Sequence, residues 1–241
     1  MLSGLGKQVN AMLARYITDT QTLLNDAGGQ FFTMPQVINF VNRSRRRIAY
    51  ASGCLRVLPM GTRTHAKQEV YPFSDWRSLV QRAAPGCDTI LAVRSLAVAI
   101  GVGGWKPTWR RIPWTDFQAR FRIFNGTFYG TISEPGWYAQ YGVGELGALY
   151  LAPIPAQGNP MEVDCTCVPL NLLTDNDPEP IPQPWQDAVS YWAAVLLLIQ
   201  QQRAQDAQAM AQLFNSDLPF CAAVVCPQMI QTPYGAALRS A

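Results

Sequence analysis

An acidic, proline-broken connector that runs straight into a sharply started apolar helix constrains this chain more than any other feature. Residues 172–199 read LLTDNDPEPIPQPWQDAVSYWAAVLLLI. Asp175, Asp177 and Glu179 stand among Pro178, Pro180, Pro182 and Pro184, so the connector can neither coil into a helix nor pair as a regular strand. Pro184 fits the first turn of a helix, where its missing N–H costs nothing. Trp185, Ala188, Val189, Trp192, Val195, Leu196 and Ile199 then recur three and four apart and predict one broad buried stripe. Trp185, Val189, Trp192 and Leu196 are the expected core of the body. The segment specifies assembly and contains no chemistry.

The same periodicity appears near the N-terminus. Val9, Met12, Leu13, Tyr16, Ile17, Leu23 and Leu24 predict an amphipathic helix over about 7–25, ended by Gly28 and Gly29. Thr33 with Gln36 three residues on has the spacing of a capping box, and Pro35 is tolerated in the first turn. Val37, Phe40, Val41 and Ile48 face inward on this second helix, and Gly53 stops it. The short connection predicts an antiparallel helical hairpin over 1–58.

The middle reads differently. Over 59–170, glycine, proline and tryptophan punctuate β-like runs at 69–73, 89–98, 128–132, 137–140, 148–152 and 161–168, with one short helix over 116–124 capped by Thr115. The connector and one long helix, 184–214, complete the body over 171–214. Residues 215–241 are too apolar for a solvated tail and too rich in proline for another long helix. They read as an extended arm that docks on a neighbour or packs back on its own domain. The fold class is therefore α+β: a helical bundle body with a strand-rich insertion and an extended C-terminal arm.

Composition narrows the function classes. Charged residues are only 15% of the chain, where roughly a quarter is usual; a surface covered by partners or a large core explains the shortage. A net charge of +3 is too small for a dedicated DNA-binding domain. No apolar run approaches the ~20 residues that span a bilayer, and MLSGLGKQVNAML lacks the pattern of a secretory signal, so no membrane partner is expected. Cys54, Cys87, Cys165, Cys167, Cys221 and Cys226 are too scattered for a disulfide scaffold. Cys165 and Cys167 alternate with polar residues alongside Met161 and Val163, so both thiols share one strand face, as buried free thiols or as a ligand pair. His65 is the single histidine, which leaves few ligands for a metal and little basis for Ser-His-Asp chemistry. The loops Gly101–Gly104 and Gly142–Gly147 lack phosphate-cradling spacing, so no cofactor is expected.

Two basic stretches invite sharper readings. Arg43, Arg46 and Arg47 share one face of the second helix, with Arg45 between them in sequence. That face suits acidic side chains of a partner ring, DNA phosphates in a channel, or plain solvent near a helix C-terminus. Trp105, Trp109, Arg110, Arg111 and Trp114 interleave aromatics and cations, as single-strand stacking would use or as an aromatic strand edge would pack.

A family resemblance rests on three segments. DPEPIPQPWQDAVSYWAA with the following QQQRAQDAQAM is similar to the C-terminal part of head-to-tail adaptor proteins of tailed phages, of the short-tailed type. FFTMPQVINFVNRSRRRIAYASGCLR resembles the second helix of that family, and GALYLAPIPAQGNPMEVDCTCVPLNLL fits the part before the connector. The resemblance implies a virion structural protein of the neck, assembled in the host bacterial cytoplasm, with no turnover and no cofactor. It implies a closed ring of about twelve copies that joins the portal ring to the next tail component, nozzle or fibre. Packaged double-stranded DNA would pass through its channel without specific binding. Candidate contacts to the portal or to neighbouring copies are Arg43, Arg46, Arg47, Asp175, Asp177, Glu179, Leu218, Phe220 and Tyr234. No segment within about 63–141 carries the resemblance, so the role of that stretch (fibre docking, ring thickening or lumen lining) is open. Two readings from other classes stay open: a nucleic-acid-binding module using the arginine and tryptophan stretches, and a tail-associated cell-wall hydrolase using paired carboxylates.

Overall fold

The computed structural model describes residues 12–26, 28–99, 107–123, 127–128, 132–133 and 136–225. In chain order it begins with α1 (Met12–Leu23), α2 (Met34–Ser52), β1 (Arg56–Val57), β2 (Val70–Pro72), α3 (Phe73–Ala83) and β3 (Cys87–Val98). Next come β4 (Arg110–Arg111), α4 (Trp114–Phe121), β5 (Arg122–Ile123), β6 (Thr127–Phe128), β7 (Ile132–Ser133) and β8 (Trp137–Tyr141). A 3-10 turn at Gly144–Leu146 leads to β9 (Ala148–Ala152), β10 (Ile154–Pro155), β11 (Met161–Pro169), α5 (Gln183–Gln200) and α6 (Ala204–Val225). The protein is mixed α+β. It divides into two compact units, one combining Met1–Cys54 with Asn171–Ala241, the other Leu55–Leu170. The expected helix start over 7–11, the Gly101–Gly104 loop with Trp105, Phe124, and everything beyond Val225, Tyr234 included, lie outside the described residues.

In the first unit α5 packs against α1, α2 and α6. Its interior is the stripe of Trp185, Ala188, Val189, Ala193 and Ala194 against Val37, Val41 and Ile48 of α2 and Leu13, Tyr16 and Ile17 of α1, all buried. Trp192 and Leu196, expected in this core, are only half-buried, because they sit at the edge of the stripe rather than at its centre. The α1–α2 turn is set by Asp26, whose buried carboxylate accepts the N–H groups of Gln30 at 2.7 Å and Phe32 at 3.1 Å. At the start of α2, Gln36 Oε1 accepts the Thr33 N–H at 3.0 Å, the glutamine half of a capping box. Gly53 closes the helix in the left-handed region at φ 59°.

The expected single helix over 184–214 is two helices. Gln202 takes φ 62°, and the N–H groups of Gln202 and Arg203 return to the carbonyls of Ile199 and Leu198. This is a Schellman turn built without glycine, so no residue type announced it. Helix α6 then folds back along α5. Trp192 and Phe214 rings lie 4.8 Å apart, and the Cys221 thiol donates to the Pro184 carbonyl at 2.6 Å. The expected extended arm from 215 onward is also corrected as far as Val225, which is helical through Pro219. Ala207, Phe214 and Cys221 are buried at seven-residue intervals, a stripe that continues past the proline and carries the helix with it. Leu218 is half-buried on this helix, and Phe220 belongs to it.

The second unit holds two main sheets. In one, β11 lies between β1 and β3, antiparallel to both. Met161, Val163, Cys165 and Cys167 all point into its core. The two thiols approach to 3.8 Å and are free; that contact and burial raise the Cys167 pKa, so it stays a thiol. In the other sheet, of order β2-β9-β8-β4, only β4 and β8 run parallel. Helix α4 covers a cluster of Ile112, Phe117, Ala139 and Ala152, joined by Trp114, Phe121, Trp137 and Tyr150.

Three local expectations are corrected here. Residues 127–128 and 132–133 belong to different strands, β6 pairing β5 and β7 pairing β10. Helix α4 starts after Pro113, whose φ of −57° suits the entry, so Thr115 lies inside the first turn instead of capping it. The strand expected over 69–73 ends at Pro72, and Phe73 opens α3, whose Phe73, Trp76 and Val80 are buried one turn apart.

The N-terminus of α3 rests on Gly147, with the Phe73 N–H donating to its carbonyl at 2.9 Å. A Cβ added to Gly147 would come within 2.5 Å of the fully buried Phe73 ring and 3.1 Å of the Val143 carbonyl carbon. Gly147→Ala is expected to destabilise the protein by about 1–3 kcal/mol through overpacking, read as a lower urea midpoint with an unchanged slope.

Candidate functional site

The chemistry of the first unit is organised by the two sides of α2. Successive helical residues are rotated by about 100°, so the run Arg43–Arg47 is split between them. Asn42, Ser44 and Arg45 turn inward and are buried. Asn42 clasps Leu172 twice, its Nδ2 donating to the carbonyl at 2.9 Å and its Oδ1 accepting the N–H at 2.8 Å. Ser44 donates to the Val189 carbonyl at 2.6 Å. Arg45 grips Glu179 with two charge-assisted bonds, Nε to Oε2 at 2.8 Å and Nη2 to Oε1 at 3.0 Å. The side chains of this pair are 1% and 4% exposed. Burial and then the Glu179 charge raise the pKa of neighbouring Tyr16, which stays a phenol.

The connector acids therefore act inside this unit. Glu179 is committed to Arg45, with its Oε1 also accepting the Ile181 N–H at 2.9 Å. Asp175 accepts the Ala14 N–H of α1 at 2.8 Å. Asp177 accepts the N–H groups of Leu173 at 2.6 Å and Thr174 at 2.8 Å, and these bonds hold its carboxyl below the usual aspartate range.

The outer side of α2 presents Arg43, Arg46, Arg47 and Tyr50, at i, i+3, i+4 and i+7. Together with Trp192 and Leu196 of α5 they line a groove of about 420 Å³. The Arg43 guanidinium sits 5.2 Å above the Phe40 ring, and that of Arg47 lies 5.5 Å above Trp192, a cation–π contact that fixes one wall of the groove. Among the described residues no carboxylate forms an ion pair with these three arginines. The sequence brought the three arginines to one face. It gave no sign that Trp192 and Leu196 would leave the core to floor the groove. Leu218 and Phe220 lie on α6, and the Phe214 ring one turn before Leu218 reaches Trp192.

In the second aromatic–cationic stretch Arg110 and Arg111 are exposed, but the two described tryptophans are covered. Trp109 is 4% exposed, and Trp114 is covered by Tyr150 at 4.5 Å and Tyr141 at 4.9 Å. Neither ring is laid open for a base to stack on. Arg122 lies over both Trp114 and Tyr150 while it pairs with Glu69 at 2.8 Å. Among the described residues no cluster of three or more His, Cys, Asp or Glu is placed to hold a metal, and no helix is long and apolar enough to cross a membrane.

The helical unit joins segments that precede and follow the strand-rich unit in sequence, and its buried polar groups tie those segments together. The chain belongs to the SU10 adaptor protein family, a phage head-to-tail adaptor family, whose model matches residues 13–219. No curated protein matches it.

Removing one partner of the Arg45–Glu179 pair strands the other as a buried charge. Arg45→Met or Glu179→Leu alone is expected to cost about 3–5 kcal/mol, whereas the double substitution recovers most of the loss. Chemical denaturation of the four proteins as a double-mutant cycle measures it.

Proposed function

We propose that this chain is the subunit of a head-to-tail adaptor ring that joins the portal to the tail and surrounds the DNA exit channel. The observation that carries this reading is the family match over residues 13–219, which takes in both units. The helical unit forms the ring body, and α6 with the residues that follow reaches the portal. The strand-rich unit thickens the ring or offers a seat to the next tail component, nozzle or fibre. The ring is closed, as symmetric homo-oligomers are, and holds about twelve copies; duplex DNA passes through it without specific binding. The role is passive, with no turnover and no cofactor, and its place is the neck of the virion after assembly in the host cytoplasm. Arg43, Arg46, Arg47 and Leu218 are the described residues best placed for contacts to the portal or to neighbouring copies.

Mixing the purified chain with the portal ring of its own phage and weighing the product by native mass spectrometry tests this reading. The expected product is one complex with about one copy per portal subunit. A folded chain that leaves an intact portal ring unbound would contradict the direct portal contact.

A further inference from the structure

We infer that the groove between α2 and α5 is the seat of an acidic segment of a different protein chain. That segment carries carboxylates about one helical turn apart beside an apolar side chain. The inference rests on the adaptor reading only in taking that chain to be another virion protein.

Three observations lead there. First, Arg43 and Arg47 are exposed and Arg46 half-buried, and the cation–π contacts of Arg43 and Arg47 leave guanidinium edges free for carboxylates. Arg43 and Arg47 stand one turn apart, about 6 Å along the helix, which matches acidic residues three or four apart on a partner helix. Second, the floor is apolar. Trp192 and Leu196 offer a surface of the kind that anchors protein contacts, where a buried aromatic sits within a polar rim. Duplex DNA would use the arginines through its phosphates but has no side chain to place on that floor. Third, a second copy of this chain is a poor donor. Most of the unit's own carboxylates are engaged at home: Asp19 and Asp187 on Arg15, Asp206 on Arg203, Glu179 on Arg45, and Asp26, Asp175 and Asp177 on backbone N–H groups. Asp217 on α6 stands alone, with no second acid three or four residues away to match the spacing of Arg43 and Arg47. In this setting three arginines without a carboxylate partner form a surface complementary to an acidic one, and such pairing sets the choice of partner and the rate of encounter.

The test uses the full chain and a fluorescent peptide of helical repeat containing glutamate and leucine, followed by anisotropy. The same peptide with glutamine for glutamate and a labelled DNA duplex are run beside it. The acidic peptide is expected to bind, with affinity that falls as salt rises, and the glutamine peptide to bind at least about tenfold more weakly. Arg47→Glu and, separately, Arg43→Glu are expected to weaken the acidic peptide by about tenfold or more, with helical circular dichroism unchanged. Arg82→Glu, on an exposed position of α3, is expected to leave binding as it was. Absence of acidic-peptide binding overturns the inference. So does peptide binding that ignores both arginine variants, or duplex DNA binding more tightly than the peptide with the same dependence on Arg43 and Arg47. Peptide binding of the expected kind by a chain that leaves its portal ring unbound would uphold the groove and remove only the direct portal contact.

Discussion

The helical unit depends on one buried ion pair between residues 134 positions apart in sequence. Arg45 on α2 and Glu179 in the connector meet in an interior from which water is nearly excluded. A buried pair of this kind adds little net stability over well-packed apolar residues of the same size, because both ions must be desolvated. What it supplies is register. Arg45 donates to Glu179 and, at 3.1 Å, to the Asn42 side-chain oxygen, and Asn42, one turn earlier, fixes the backbone at Leu172 from both sides. With the connector held at two points, Pro184 can open α5 only where Trp185 and Val189 drop into the core.

This arrangement explains why the connector is so rich in proline and acid. Its prolines prevent the segment from joining either neighbouring helix, and its acids find donors on α1, on α2 and in the connector itself. Asp175 takes an N–H at the start of the described α1, Asp177 ties two residues of its own turn, and Glu179 takes the arginine. The same helix that grips the connector on one side offers arginines outward on the other. Packing and partner choice are thus written on two sides of α2, and the rotation per residue of an α-helix keeps them apart. The alternation of inward and outward roles in the run Arg43, Ser44, Arg45, Arg46 and Arg47 follows from that geometry.

Much of the fold was legible because it rests on periodicity. Helices α2 and α5 begin close to their expected starts, at Thr33 with its glutamine cap and at Pro184. Strand β11 buries Met161, Val163, Cys165 and Cys167 as alternation requires. What was not legible depends on partners far away in sequence. Nothing local separates Arg45 from its neighbours until the position of Glu179 is known. The turn after Gln200 uses a glutamine where glycine would have announced it, and α6 survives Pro219 because Cys221 continues its buried stripe. Helix α3 was legible in principle, through Phe73, Trp76 and Val80, but the β-like run before it absorbed Phe73. The groove was half legible: periodicity aligned its arginines, while its apolar floor came from residues whose pattern marked them as core.

Helices α2 and α5 form one cooperative body because the Arg45–Glu179 pair ties α2 to the connector that leads into α5. Native-state hydrogen exchange on the intact chain tests this most directly, comparing wild type with Glu179→Gln. The account predicts that the slowest amides of α2 and α5 open with a common free energy, and that the substitution lowers both by the same amount. Loss of protection confined to one of the two helices, or none in either, would contradict it.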